Sequence, residues 1–312
     1  IVMKFISNVF MVTGIMIGMP IIFYLIFHGT RMDRLPDIED VESGYTIVNG
    51  SEYDLDQYLI GVLPTEMNLD SEYEAIKAQA VIARTSILYQ LKGKKQMDGN
   101  KLEEGYITQE KLKEQIGERE YTKKLQLLTK AVLETRGMVI QSEGEYIYPL
   151  YHEVSIGTTI SAKELYGKDI PYLKAADSST DVESPDYMKV EEWDYEDALN
   201  LIKKEKPETE VTREQLEEKI VVTSKTSSGY VKKLKVGNTT FTGEQWKKIF
   251  DLNSTNFYIE DYEGKMRMVT LGKGHGLGLS LYGANELAKQ GAGYKKILTH
   301  YYRNIEIKKI YE

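Results

Sequence analysis

Apolar positions crowd together between Leu55 and Leu88. Leu55 to Leu63 reads as a helix, and after Pro64-Thr65-Glu66-Met67 a second element opens at Ser71-Glu72-Tyr73-Glu74. That tetrapeptide has the form of a capping box, so the spacing predicts a helix from about Ser71. Ala75, Ile76, Ala78, Ala80, Val81, Ala83, Ile87 and Leu88 follow, small and apolar almost all round. A surface helix would keep a polar face, so this one is predicted to be buried. Glu66 stands among Val62, Leu63 and Met67, with no second acid before Asp70. A carboxyl supported by a rigid buried helix suits general-acid work. The plainer account is an exposed acid on a turn.

The rest of the chain alternates short strands and helices without a regular βα repeat. Thr46 to Asn49 reads as a strand before the Asn49-Gly50 turn. Lys92 to Gln126 reads as a solvated connection with a helical part and no chemistry. Leu125, Leu128, Val132 and Leu133 give helical spacing over Thr122 to Thr135, stopped by Gly137. Met138 to Ile140 and Tyr146 to Tyr151 read as paired strands. A charged helix is predicted over Glu191 to Lys204, and another over Val211 to Ile220. A hairpin turns at Ser227-Ser228-Gly229, Thr242 caps a helix, and further helices start at about Ser280 and Tyr294. Ile305 to Ile310 alternates as a closing strand. The pattern predicts an α+β fold, mixed or antiparallel strands with packed helices. Ser178 to Phe257 is a candidate internal subdomain.

Ahead of this body, Phe5 to Phe27 carries no charge. As a helix it would cross a bilayer core of ~30 Å. Without an A-x-A cleavage pattern, residues 1 to 28 read as an uncleaved transmembrane anchor. Residues 29 to 45 read as a polar tether, and 46 to 312 as the folded body. The formal charge is -8, which gives no support for nucleic-acid binding. The chain has no cysteine, so disulfides, thiol nucleophiles and Cys-based zinc sites are excluded. Its 23 tyrosines suit sugar faces and ordinary cores equally.

Two further stretches carry candidate chemistry. Tyr151-His152-Glu153-Val154-Ser155-Ile156-Gly157-Thr158-Thr159 gathers an imidazole and hydroxyls able to bond a sugar or orient an acid. The same groups would equally serve a capped turn. Gly272 to Ala284, GKGHGLGLSLYGA, lacks the G-K-[ST] ending of a P-loop and the spacing of a dinucleotide site. What remains is a loop poor in side chains. It could press its backbone on a polymer and carries His275 into a helix start.

The motifs V-L-P-T-E-M and E-A-I-K-A-Q-A-V-I-A-R-T resemble the stage II sporulation protein D family, also called the amidase-enhancer or LytB-like family. So do Y-H-E-V-S-I-G-T-T and G-K-G-H-G-L-G-L-S-L-Y-G-A. The resemblance runs through residues 46 to 312. It implies a peptidoglycan lytic transglycosylase with Glu66 as the catalytic residue. The motif positions Lys77, Gln79, Arg84, His152, Ser155, Thr159, His275, Gly276, Ser280 and Tyr282 are the implied substrate-binding set. Ile156 and Leu281 depart from the family's usual glycine and glutamine, and each would alter the groove. No cofactor is implied. Zinc, which some members hold, lacks its thiols here, and an H-E-x-x-H pattern fails at Ile156. The implied partners are glycan strands, a cell-wall amidase and a polytopic membrane protein of the engulfment complex. The implied place is the cell membrane, with the body outside the cytoplasm and facing the septum. The rivals are a glycan-binding module that stimulates an amidase without cutting, and a membrane scaffold.

Overall fold

In the computed structural model, residues 38–40 and 42–312 are described. The expected anchor, and the tether up to residue 37, lie outside them. Among the described residues no helix is long and apolar enough to cross a membrane. The chain divides into two compact units, Ile1–Val41 and Glu42–Glu312. The described part of the first is a 3-10 turn at Ile38–Asp40.

In the larger unit, β1 (Thr46–Asn49) and β2 (Ser51–Asp54) pair antiparallel across the Asn49-Gly50 turn. Asp54 then caps α1 (Leu55–Glu66): its carboxylate accepts from Asp56 N, and the Gln57 side chain accepts from Asp54 N. The capping box therefore belongs to this helix and not to the next. In α2 (Tyr73–Leu91) the N-cap is Glu72, with no side-chain cap bond. Glu74 turns outward instead and accepts from Tyr294 N at 2.7 Å. As its composition predicts, α2 is buried on nearly every side.

After β3 (Gln96–Asp98), which joins β1 in parallel, α3 (Gln109–Ile116) leads to α4 (Glu118–Glu134). The buried stripe Leu128, Ala131 and Val132 sets α4 against α1 and α2. Where these three helices meet, Arg84 and Asp56 form a fully buried ion pair at 2.7 Å. The guanidinium also donates to the carbonyls of Met138 and Val132, and Tyr311 Oη donates to Asp56 at 3.0 Å.

β4 (Met138–Ser142), β5 (Glu145–Tyr146) and β6 (Tyr151–His152) follow, then the short α5 (Ala162–Tyr166). The chain next makes an excursion with a separate core. β7 (Met188–Trp193), α6 (Tyr195–Glu205), α7 (Leu216–Lys219) and β8 (Ile220–Lys225) open it. β9 (Val231–Val236), β10 (Thr239–Thr242), α8 (Gly243–Phe250), β11 (Phe257–Tyr262) and β12 (Lys265–Leu271) complete it. Trp246, Phe241, Phe250, Leu234, Met266 and Met268 fill the space between two three-stranded sheets, β11-β12-β7 and β10-β9-β8. Two helices predicted here are corrected. Residues 188 to 193 alternate between exposed and half-buried, the period of a strand, and pair with β12, so the helix begins only at Tyr195. The one expected over Val211 to Ile220 shrinks to the single turn α7.

The chain returns through β13 (Leu279–Ser280), α9 (Leu281–Lys289) and α10 (Tyr294–Tyr301) to β14 (Glu306–Lys309), which closes on β4. β13 pairs in parallel with β6, Leu279 opposite Tyr151 and Ser280 opposite His152. This pairing brings the motifs around His152 and His275 side by side.

Candidate active site

Glu66 is the last residue of α1, and three neutral donors hold its carboxylate. Tyr151 Oη donates to Oε2. Gly105 N donates to Oε1 at 2.9 Å, and Thr65 Oγ1 shares its proton between Oε1 at 3.1 Å and Val62 O at 2.8 Å. Burial and the nearby carboxylate hold the Tyr151 hydroxyl far above the usual phenol range, so it serves as a donor.

Two pockets meet at this carboxylate, and Glu66 is the one residue that lines both. The larger, about 460 Å³, is walled by Met67, Asn68, Ser71, Glu153, Asp186 and Tyr282, among others. The smaller, about 260 Å³, is walled by Ser86, Glu103, Glu104, Tyr148 and the Pro149–Tyr151 segment. A polymer lying across both would carry one of its links over Glu66.

The wall of Glu103 and Glu104 comes from the stretch that its polarity marks as a plain connection. Tyr106 is stacked on Tyr58 of α1, with ring centroids 4.6 Å apart. It lies so close to Gly61 that a Cβ there would come within 2.3 Å of the ring. Ile107 N donates to Gly61 O at 2.9 Å. This docking delivers Gly105 to Glu66 and Glu104 to the smaller pocket. The available signal was Gly105-Tyr106-Ile107, a glycine and two apolar residues inside a polar run.

The other predicted residues divide sharply. Tyr282 lines the larger pocket beside Leu281. Ile156 packs inward near Gly272 and does not wall that pocket. Arg84 is sealed in the core by its ion pair and carbonyl bonds, so its charge serves packing and not substrate. Gln79 is likewise buried. Lys77 lies between Glu74 at 2.5 Å and Glu134 at 3.3 Å, outside both pockets.

The hydroxyls of the motifs are used internally. Asp181, fully buried, accepts from Ser155 N at 2.6 Å and Ser280 Oγ at 2.7 Å. Ser280 also caps α9, and Thr159 Oγ1 accepts from Ala176 N. Asp181 thus ties the segment that follows β6 to β13, a role that the acidic composition of its own segment gives no reason to expect.

His152 and His275 lie with ring centroids 5.7 Å apart, behind the wall of the site. His152 Nδ1 faces Leu277 O at 3.0 Å, and His275 Nδ1 accepts from Leu277 N at 3.0 Å. Burial pushes His152 down to about 3, aided by the neighbouring His275. Burial, with Lys247 adding, pushes His275 down to about 4. Both rings are therefore neutral in the fold while the unfolded chain takes up protons below about pH 6.5. Stability is then fully present above that pH and falls as pH drops toward 4. A thermal-unfolding series should show Tm declining from pH 7 to 5, and His275→Gln should flatten the decline.

The glycines of the loop that carries His275 press against neighbouring backbone and side chains. Gly274, Gly276 and Gly278 have φ of 108°, 78° and 70°. A Cβ on them would come within 2.6 Å of His152 Cβ, 2.2 Å of Tyr230 Oη and 1.8 Å of Leu150 O. These glycines exist for close packing, and Gly276 contacts core rather than open pocket. Gly278→Ala adds left-handed strain to overpacking and should cost about 2–4 kcal/mol in a denaturant titration.

Comparisons with known proteins fall on the same region. A family model described as "Stage II sporulation protein" matches residues 42–141, which hold Glu66, α2 and the Glu104 loop. Stage II sporulation protein D of Bacillus subtilis (strain 168) is 29% identical over 264 residues, 81% of this chain and 74% of that protein. Its counterpart in Bacillus amyloliquefaciens is 28% identical over 262 residues, with the same coverage of each chain. Motif, matched region and relatives agree in likeness: over most of its length the chain is similar to stage II sporulation protein D.

Proposed function

We propose that the protein is a peptidoglycan lytic transglycosylase that cuts peptide-stripped glycan strands between N-acetylmuramic acid and N-acetylglucosamine. One observation carries this reading: a carboxyl held by neutral donors lies where two open pockets meet. Protonated Glu66 gives its proton to the glycosidic oxygen as that bond breaks. The resulting carboxylate takes the proton of the muramic C6 hydroxyl, whose oxygen closes on C1. The products are a free hydroxyl on the leaving sugar and a 1,6-anhydro end. No water is consumed, so a second acid is not required to activate one, unlike the two-carboxylate hydrolases. Tyr148, Tyr151 and Tyr282 line the pockets and suit sugar faces and hydroxyls.

The names of the relatives support a role in sporulation. In that setting the body would act on septal wall from a membrane anchor, after an amidase has removed stem peptides and beside a polytopic membrane partner.

Incubation of the chain with peptide-stripped strands tests the reading. Release of fragments is the expected result. Strands that are retained uncut by the parent and by Glu66→Gln alike would favour an amidase-stimulating binding module, and strands that are not retained at all a scaffold.

A further inference from the structure

The groove continues past the smaller pocket. Glu103 and Tyr148 also line a third opening of about 440 Å³, together with Tyr89, Gln90, Lys92 and Lys101. Its wall is held by bonds of its own. Tyr148 Oη donates to Glu103, and Gln90 Oε1 accepts from Glu103 N at 3.0 Å. The rings of Tyr89 and Tyr148 lie 5.3 Å apart, inclined at 40°. Tyr89, from the last turn of α2, is 43% exposed. Lys92 caps the same helix in the left-handed conformation, and Lys101 ends the 3-10 turn Gly99–Lys101. Both lysines are exposed. Among the described residues, neither forms an ion pair. Asp98 feels Lys101 only as the least of its influences, and it is already held by Asn100 N and Nδ2, each at 3.0 Å. The third pocket therefore sets two cations against the single carboxylate of Glu103, whereas the walls of the other two carry acids and no Lys or Arg.

We propose that this third pocket is an outlying subsite that reads the free lactyl carboxylate of a muramic acid in the strand, with Lys92 and Lys101 as its cations and Tyr89 as a platform for the sugar. The proposal rests on the reading of the substrate as a peptide-stripped glycan. Removal of a stem peptide at its amide leaves the lactyl group as a carboxylate. A strand that keeps its peptides has a neutral amide at that point. Two ammonium groups attract the first and gain no charge pairing from the second. The exposed ring of Tyr89 offers an apolar face on which a sugar can lie. Glu103 is engaged by Tyr148 and outnumbered by the lysines. The smaller pocket separates this subsite from Glu66, so it selects strands without touching the bond that breaks. The chain would then recognise a stripped strand by the charge that peptide removal leaves behind, and not only by the lost bulk.

The test measures strand retention by the full chain carrying Glu66→Gln, so that nothing is cut. Two probes are compared: peptide-stripped strands, and the same strands with their lactyl carboxylates capped as methylamides. The free carboxylates should be preferred by about tenfold at low salt, since two exposed cations are each worth a few-fold. The preference should fade as salt screens it. Adding Lys92→Met and Lys101→Met should bring both probes to the weaker value. Adding Lys204→Met and Lys248→Met instead, an equal change of charge at exposed positions outside the three pockets, should leave the preference intact. Tyr89→Ala should weaken both probes alike. Retention of both probes equally, or of neither, before the lysines are changed overturns the subsite, and so does a preference that survives their loss. Retention does not depend on turnover, so the two readings fail separately. Anhydro ends from a chain that does not tell the probes apart would retire the subsite alone. A chain that prefers the carboxylate and cuts nothing would retire the transglycosylase alone.

Discussion

Glu66→Gln should lose turnover on peptide-stripped strands by about a thousandfold while still retaining them. The change keeps the shape of the side chain but removes the proton it gives and takes. Positioned general acid–base groups contribute ~10²–10⁴ in rate, and Glu66 is assigned both transfers. Gly105 N can still donate to the amide oxygen, so the loop of Glu104 should stay docked. Strand retention draws on the walls of both pockets, most of which the substitution leaves untouched. A fall in rate at saturating strand with little change in the half-saturating concentration is therefore expected. A parallel loss of retention would point to a binding role for Glu66.

The second large effect lies in the core. Arg84→Met should destabilise the fold by about 3–5 kcal/mol, because it leaves Asp56 charged and buried with only Arg136, at 3.9 Å, to offset it. Domains are stable by only ~5–15 kcal/mol in total, so a urea titration will read this as a large drop in midpoint. Arg84→Met combined with Asp56→Leu should recover part of the loss, since no buried charge is then left alone. Tyr311 would still have lost its acceptor. If Arg84 bound substrate instead, the single variant would unfold like the parent and fail only in strand retention.

The helix behind Glu66 was legible because its signal is local: the apolar density of residues 75 to 88 requires burial. Glu66 itself stood out through the resemblance of its motif, since a solitary acid ahead of such a helix equally suits an exposed turn. The capping box was misplaced because Ser71 and Glu74 satisfy the pattern, yet Glu74 has a stronger use as acceptor for the start of α10. The roles of Ser155, Thr159 and Ser280 were not legible. A hydroxyl in a glycine-rich motif looks the same whether it meets a sugar or the fold itself, and here Gly157 N, Ala176 N and Asp181 are the partners of the Ser155, Thr159 and Ser280 hydroxyls. Glu104 was hidden because its approach to Glu66 depends on Tyr106 docking on Gly61, a contact between distant parts of the chain. The strand at residues 188 to 193 was masked by its charges, although its burial has period two.

The most direct measurement of the central claim is the mass of the new ends after digestion of peptide-stripped strands in ¹⁸O-water. The parent should leave 1,6-anhydro muramic ends that carry no label, and Glu66→Gln should leave none. Labelled reducing ends would mean that water attacks and that the site is a hydrolase. Unlabelled anhydro ends at equal yield from Glu66→Gln would remove Glu66 from the chemistry altogether.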